Sequence, residues 1–247
     1  MSLFYSDESL ANLPDSLPRT TAKLLNPVFD FLFAFAPNRD TLGGTAYLIV
    51  EKAGNILIDC PGSNPEITDF IAEMGGIAWL VLTHRGGIGS HVKALQEQFG
   101  CAIAIQEQAA YLLPQAQVTP FASELPLSDD CTAIWTPGHS PGSSCVYCAQ
   151  NGGILFTGRH LLPRPVNPEE ATAGFAIAPL RRPKTFHWPR QLQSVEVLKQ
   201  RFSPETLEYL CPGANIGFLR GAVAVKDAYR HLSAIDCQEL RHAKIVS

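Results

Sequence analysis

The stretch Ala78-Trp79-Leu80-Val81-Leu82-Thr83-His84-Arg85-Gly86-Gly87-Ile88-Gly89-Ser90-His91 decides the fold. Its first five residues form a short, continuous, partly β-branched apolar run, which reads as a buried strand. Downstream, Val92, Leu95 and Phe99 share one face of a helix expected over Val92 to Phe99. The glycine-bearing loop thus joins the C-terminal end of a strand to the N-terminus of a helix. Open α/β sheets hold ligands there, because backbone N–H groups and the helix dipole converge. Gly86, Gly87 and Gly89 allow close backbone approach to a ligand, and His84 and Arg85 supply the chemistry.

Working outward, Phe29, Phe31, Phe33 and Phe35 alternate with smaller or polar residues, a period of two that predicts one strand. Thr45 to Glu51 and Asn55 to Asp59 read as a hairpin around Lys52-Ala53-Gly54. Asn64-Pro65-Glu66 opens a helix running to Met74, and Gly75-Gly76 stops it. A strand over Cys101 to Ile105 and a short helix over Glu107 to Leu113 follow. Strands then recur at Thr132 to Thr136, Ser144 to Ala149 and Gly153 to Thr157. Residues 159 to 186 read as a long Pro- and Arg-rich loop, of the length used for lids. A helix from Pro189 to Phe202, a strand from Leu207 to Cys211 and a final helix from Gly221 to about His242 complete the chain. Strands alternating with helices indicate an α/β layer architecture.

The 247 residues can bury a large core, and 46% are apolar against 17% charged. With 19 basic and 23 acidic residues the net charge is −4, which gives no reason to expect nucleic acid as a partner. The first residues lack a basic and apolar leader, and the run Val28 to Ala36 is too short to span a bilayer and carries Asp30. Seven cysteines, an odd number, suit reduced thiols. The expectation is a soluble, cytoplasmic protein.

Polar residues gather at strand-ending loops: Asp59-Cys60-Pro61-Gly62, Thr83-His84-Arg85-Gly86-Gly87, Thr136-Pro137-Gly138-His139-Ser140-Pro141-Gly142-Ser143, Phe156-Thr157-Gly158-Arg159 and Cys211-Pro212-Gly213-Ala214. Their order and spacing resemble the metallo-β-lactamase fold superfamily over nearly the whole chain. The most specific likeness is Thr136 to Ser143, which is similar to that superfamily's third-histidine loop. Gly43 to Val50 and Leu155 to Gly158 also fit. The resemblance implies a four-layer αββα sandwich over residues 27–247, preceded by an arm over 1–26, with the site at one edge of the two sheets.

In that superfamily the central loop reads Thr-His-x-His-x-Asp-His, because two metal ions need several imidazoles and a carboxylate to activate a hydroxide. Aligned on Thr83-His84, this chain carries Gly86, Ile88 and Gly89 at the remaining ligand positions. Arg159 stands where the bridging aspartate is expected and Ala214 where the last histidine is expected; only His84 and His139 remain. Two unit charges about 4 Å apart at an effective dielectric of 20 repel by roughly 4 kcal/mol, and a guanidinium stays charged, so an inward Arg159 opposes metal.

The expectation is a degenerate member without a dinuclear centre or other metal cofactor. It would be a pseudoenzyme that binds an anionic small molecule or serves a protein partner. The ligand would meet His84, Arg85, Gly86, Gly87, Gly89, His139, Arg159 and His160. In the bland version, Arg159 fills the vacated space and pairs with Asp59. The alternative is a hydrolase of esters, thioesters or phosphoesters using one zinc, iron or manganese ion held by His84, His139 and a third ligand, His160, His91 or Cys60. His91 is expected inside the helix, facing solvent or the domain surface. A protein partner would dock on the 159–188 segment, where Arg181-Arg182-Pro183-Lys184 adjoins Phe186, His187 and Trp188. Cys145 and Cys148 should face opposite sides of a strand, Cys60 and Cys211 should approach the site, and Ser140, Ser143 and Ser144 lack a carboxylate to complete a triad.

Overall fold

The computed structural model describes residues 25–167, 174–180 and 184–242. Seven strands form the first sheet in chain order: β1 (Leu25–Phe29), β2 (Leu32–Phe35), β3 (Tyr47–Ile49), β4 (Ile56–Ile58), β5 (Trp79–Leu82), β6 (Ala102–Gln106) and β7 (Val118–Phe121). The first four pair antiparallel, and β4 to β7 run parallel. Helices α1 (Pro65–Glu73) and α2 (Val92–Phe99) supply crossovers between parallel strands. The Asn64 side chain caps α1 by accepting from the Glu66 N–H at 2.9 Å, and Gly100, in the left-handed region at φ +63°, ends α2.

The second sheet runs in the order β15, β14, β11, β10, β9, β8. Its strands are β8 (Glu124–Pro126), β9 (Cys131–Trp135), β10 (Ser144–Cys148), β11 (Ile154–Gly158), β14 (Tyr209–Pro212) and β15 (Val225–Lys226). Between β11 and β14 in the chain lie a separate ribbon of β12 (Leu161–Pro165) and β13 (Phe175–Pro179), then α3 (Trp188–Arg201). Helices α4 (Ala228–Ser233) and α5 (Cys237–His242) close the described chain.

Alternation along the strands builds three apolar layers. Ile56 and Ile58 point between the sheets, where Tyr47, Val81, Ala133, Val146 and Phe156 meet them, while Leu57 points outward under α1. On the other side Leu155, Leu210 and Ile134 face Leu192, Val195 and Leu198 of α3. Helices therefore cover the outer face of each sheet, giving the expected αββα sandwich. Tyr47 fastens the layers, its hydroxyl donating toward the carbonyls of Pro212 at 2.8 Å and Val223 at 3.1 Å.

Several local expectations are corrected. The aromatic alternation over Phe29 to Phe35 belongs to two strands, because the chain turns at Asp30-Phe31 and pairs Phe29 with Leu32. Periodicity survives such a hairpin, so it does not reveal the turn. The supposed long loop contains the β12–β13 ribbon, in which Leu161, Leu162, Ile177 and Ala178 are buried. The expected final helix is broken into β15, α4 and α5. Gly221 at φ +97° and Asp227 at φ +53° leave the helical region, and Asp236 starts α5 by accepting from the N–H groups of Gln238 and Glu239. Strands β7 and β8 went unread because Pro120 and Pro126 break their patterns. All but Leu25 and Asn26 of the arm, and also Arg181, Arg182 and Pro183, lie outside the described residues.

Candidate functional site

The five polar loops meet at one rim of the sandwich, at the C-terminal ends of β4, β5, β9, β11 and β14. Backbone bonds tie them across the sheets: Ser144 N to Thr83 O at 2.8 Å, Thr45 N to Gly213 O at 2.9 Å and Gly213 N to Gly158 O at 2.8 Å. Gly158 sits at φ +49°, and a Cβ there would collide with the Thr83 side chain. So the β11 loop can lie directly on the β5 loop only with glycine.

Asp59 is the strained centre of this rim. It is 4% exposed and has φ +57°, a left-handed conformation uncommon for a non-glycine residue. Its carboxylate accepts from the Thr83 backbone N–H at 2.8 Å and from the Thr83 hydroxyl at 2.6 Å. His84 Nδ1 lies 3.0 Å from the same hydroxyl and 3.6 Å from Asp59. Because the hydroxyl hydrogen is committed to the carboxylate, we assign Nδ1 as the donor to Thr83 Oγ1. The other ring nitrogen, Nε2, is buried without a partner.

His139 lies beside it, the two ring centroids 5.7 Å apart. Its Nδ1 is buried and unpartnered. Burial, then the neighbouring His84, Arg159 and His160, pushes the His139 imidazole down to about 3. His160 is 1% exposed, both ring nitrogens lack partners, and burial pushes it to about 3 as well. The Gln191 side chain of α3 donates to the His160 carbonyl at 2.8 Å, while its own Oε1 is unpartnered.

Arg159 is half-buried and turned into this group. Its guanidinium carbon would lie 3.7 Å from a Cβ placed on Gly86, and its Nη2 donates to the carbonyls of Thr41 at 2.9 Å and Leu42 at 2.8 Å. Nε is buried without a partner. The Asp59 pairing of the bland version is not formed, and the Arg159 Nη2 bonds go to these carbonyls instead. Burial lowers the Arg159 pKa, offset in part by the Asp59 charge.

The glycines divide by role. A Cβ on Gly86 would stand 3.2 Å from His84 Nε2, so Gly86 borders the imidazoles and Arg159. A Cβ on Gly87 would strike the Asp59 carboxylate, and one on Gly89 would come within 2.8 Å of the Cys60 side chain. These two are glycine because of packing. The Gly87 N–H is spent on the His84 carbonyl at 2.9 Å, closing a 3-10 turn over Arg85–Gly87 that leaves Arg85 exposed. His91 precedes α2 rather than lying inside it, and both ring nitrogens are buried beside Gly89. The sequence reading missed that enclosure, and it also missed Thr83 and Gln191 as supports of the imidazoles.

Other expectations resolve as follows. Cys145 faces α3 and Cys148 faces the inter-sheet layer, as the strand period requires. Cys60 belongs to the outer layer under α1 and Cys211 to the layer between the sheets, so the two do not share an environment. Ser140 and Ser143 bond each other at 2.8 Å, and Ser143 Oγ accepts from the Ser140 N–H, which makes them turn residues. Among the described residues, His84, His139 and His160 do not gather three ligand atoms within 4.8 Å of one another. No described helix is long and apolar enough to cross a membrane.

No family model and no curated protein sequence matches the chain. Solved structures do match. DIM-1 metallo-β-lactamase aligns with a TM-score of 0.63 at 17% identity over 87% of this chain and 97% of its own. ETHE1 from Myxococcus xanthus aligns with 0.56 at 17% identity over 85% and 87%, and TTHA1623, described in a di-iron-bound form, with 0.54 at 21% over 76% and 92%. The fold is therefore that of the metallo-β-lactamases. At these identities the likeness fixes the fold and leaves the chemistry to the chain's own residues.

Proposed function

We propose that the rim cleft binds a small phosphate- or carboxylate-bearing molecule and that the protein is not a dinuclear metallohydrolase. The observation that carries this reading is Arg159, held by two backbone carbonyls against Gly86 with Nε buried and unpartnered beside His84 and His139. A buried guanidinium nitrogen without an acceptor is costly, and an anionic oxygen would satisfy it. A dinuclear centre does not fit this donor set. Gly86, Ile88 and Gly89 offer no ligand atom on their side chains, Ala214 is apolar, and a guanidinium occupies the place of the bridging carboxylate.

Each residue then has a part. Arg159 Nε donates to the anion, exposed Arg85 raises the local positive potential, and Gly86 leaves room. His139 Nδ1 accepts from a protonated oxygen of the ligand, such as the hydroxyl of a hydrogen phosphate, and His84 Nε2 lies beside it as a second polar contact. His160 is too enclosed to touch a solvent-borne ligand and acts through His139. Calorimetric titration of inorganic phosphate and of a simple carboxylate tests the proposal. Arg159→Ala should weaken binding by tenfold or more, about the value of one hydrogen bond to a charged group. Unchanged affinity in a folded variant overturns it.

One observation favours a second reading. The unpartnered lone pairs of His84 and His139 are also what a single metal ion would use. Under that reading His84→Ala removes a cleft-bound ion and Arg159→Ala does not weaken it. A protein partner at the 159–188 segment is supported by Phe186, which is 72% exposed next to the His139 loop. Phe186→Ala would then abolish capture without touching phosphate affinity.

A further inference from the structure

The opposite pole of the sandwich holds a second polar cluster. Cys131 opens β9 and Cys148 closes β10, and the two are directly paired across the strands. The next pair along is bonded, Ala149 N to Asp130 O at 2.9 Å, so Cys131 and Cys148 form a non-hydrogen-bonded antiparallel pair, the kind whose side chains lie closest. Both are fully buried on the inter-sheet face. From the first sheet, half-buried Glu51 at the β3–β4 turn reaches them, its carboxylate accepting from Cys131 Sγ at 3.2 Å. The Gln150 amide contacts both Glu51 Oε1 and Asp130 Oδ2 at 3.3 Å, holding the two carboxylates at the mouth. One ligand atom from each of Glu51, Cys131 and Cys148 lies within 4.8 Å of the others. Among the described residues this is the only triple of His, Cys, Asp or Glu so gathered.

We propose that Cys131, Cys148 and Glu51 bind one thiophilic divalent cation of the zinc class. Two sulfurs and a carboxylate form a mixed soft and hard donor set that suits such an ion. Binding converts two thiols to thiolates and releases two protons to solvent, so affinity rises with pH. A disulfide would use the cysteines but not the carboxylate. It would also remove the thiol hydrogen that Glu51 now accepts, leaving that half-buried group one donor short. The site is separate from the rim cleft and carries no implication for its chemistry.

Cobalt(II) titrated into the reduced, chelator-treated full chain provides the test. The expected result is one equivalent with a near-ultraviolet thiolate-to-cobalt band. That band should vanish in the Cys131→Ser, Cys148→Ser double variant and persist in the His84→Ala, His139→Ala double variant. Glu51→Gln, at a partly exposed position that leaves the buried sulfurs alone, should weaken cobalt binding at least about tenfold and keeps the test open if the serine variant does not fold. No band in the wild-type chain overturns the proposal, as does a band lost only with the histidines or unchanged affinity in Glu51→Gln. A purified chain lighter by two hydrogens, with Cys131 and Cys148 joined in peptide mapping, overturns it in favour of a disulfide.

Discussion

The two ends of this sandwich share the same strands but are satisfied to different degrees. At the rim, His84 Nε2, His139 Nδ1, Arg159 Nε, both nitrogens of His160 and Gln191 Oε1 are buried without partners. At the far pole, Asn55 is nearly as buried and fully used: Nδ2 donates to Met74 O at 2.7 Å and Gly76 O at 2.8 Å, and Oδ1 accepts from Glu51 N at 3.0 Å. Glu51, Gln150 and Asp130 form a continuous network there. The interior between the poles is apolar. Unsatisfied buried polarity is thus concentrated where the strands' C-terminal ends converge, which is where an α/β architecture places its ligands. The far pole is built for stability or for an ion that completes it.

The sharpest way to break that comparison is Asn55→Ala. One side chain closes the β3–β4 turn and caps the end of α1 at once, so its loss leaves two carbonyls and one N–H to find other partners. The expected cost is about 3 kcal/mol in denaturant unfolding, the upper end for a buried group that strands its partners. A cost below about 1 kcal/mol would show that solvent reaches this turn and that the far pole is not satisfied in the way described.

Acid should act at the rim. His139 and His160 are held at about 3 against an ordinary 6.5, so in the folded state both stay neutral where the unfolded chain takes up protons. The unfolded state binds more protons between those values, and stability therefore rises with pH there. It is complete above about 6.5, falls as pH drops below that, and stops falling near 3, where the folded imidazoles also protonate. Denaturant midpoints measured from about pH 8 to pH 4 should show this slope, and His139→Gln and His160→Gln should each remove part of it. Saturating phosphate should reduce the His139 part, because an anion offsets the charge of Arg159. A slope untouched by either variant places the acid sensitivity elsewhere.

Much of this was legible from residues. Periods of two and 3.6, Asn64 before α1 and Gly100 after α2 placed the sheets and helices, and the loop Thr136 to Ser143 oriented the rim. What escaped was set by tertiary pairing. The β12–β13 ribbon and β15 are held by cross-strand pairing and buried faces that a local window does not register. In the site, His84, His139 and Arg159 were read from motif positions, whereas Asp59 holding Thr83, and Thr83 holding His84, depend on a left-handed backbone at Asp59. The Glu51, Cys131 and Cys148 cluster spans 98 residues and both sheets, so no spacing rule reaches it. It also changes what a whole-protein metal assay means, because one equivalent found there could come from either pole. Histidine and cysteine variants are needed to assign it.

The smallest expected effect is the most discriminating. His160→Phe removes two orphaned nitrogens from a site already 1% exposed and replaces them with a ring of similar shape. Replacing an unsatisfied buried polar group by an apolar one is close to neutral or stabilising, so the change in unfolding free energy should lie within about 1 kcal/mol of zero, on the favourable side. The backbone carbonyl of residue 160 still receives the Gln191 amide, which keeps α3 in place. A substantial loss of stability would mean that the imidazole nitrogens are satisfied by ordered water, and the rim would then resemble the far pole. Retained stability with weaker phosphate binding would show that His160 tunes the cleft through His139 rather than supporting the fold.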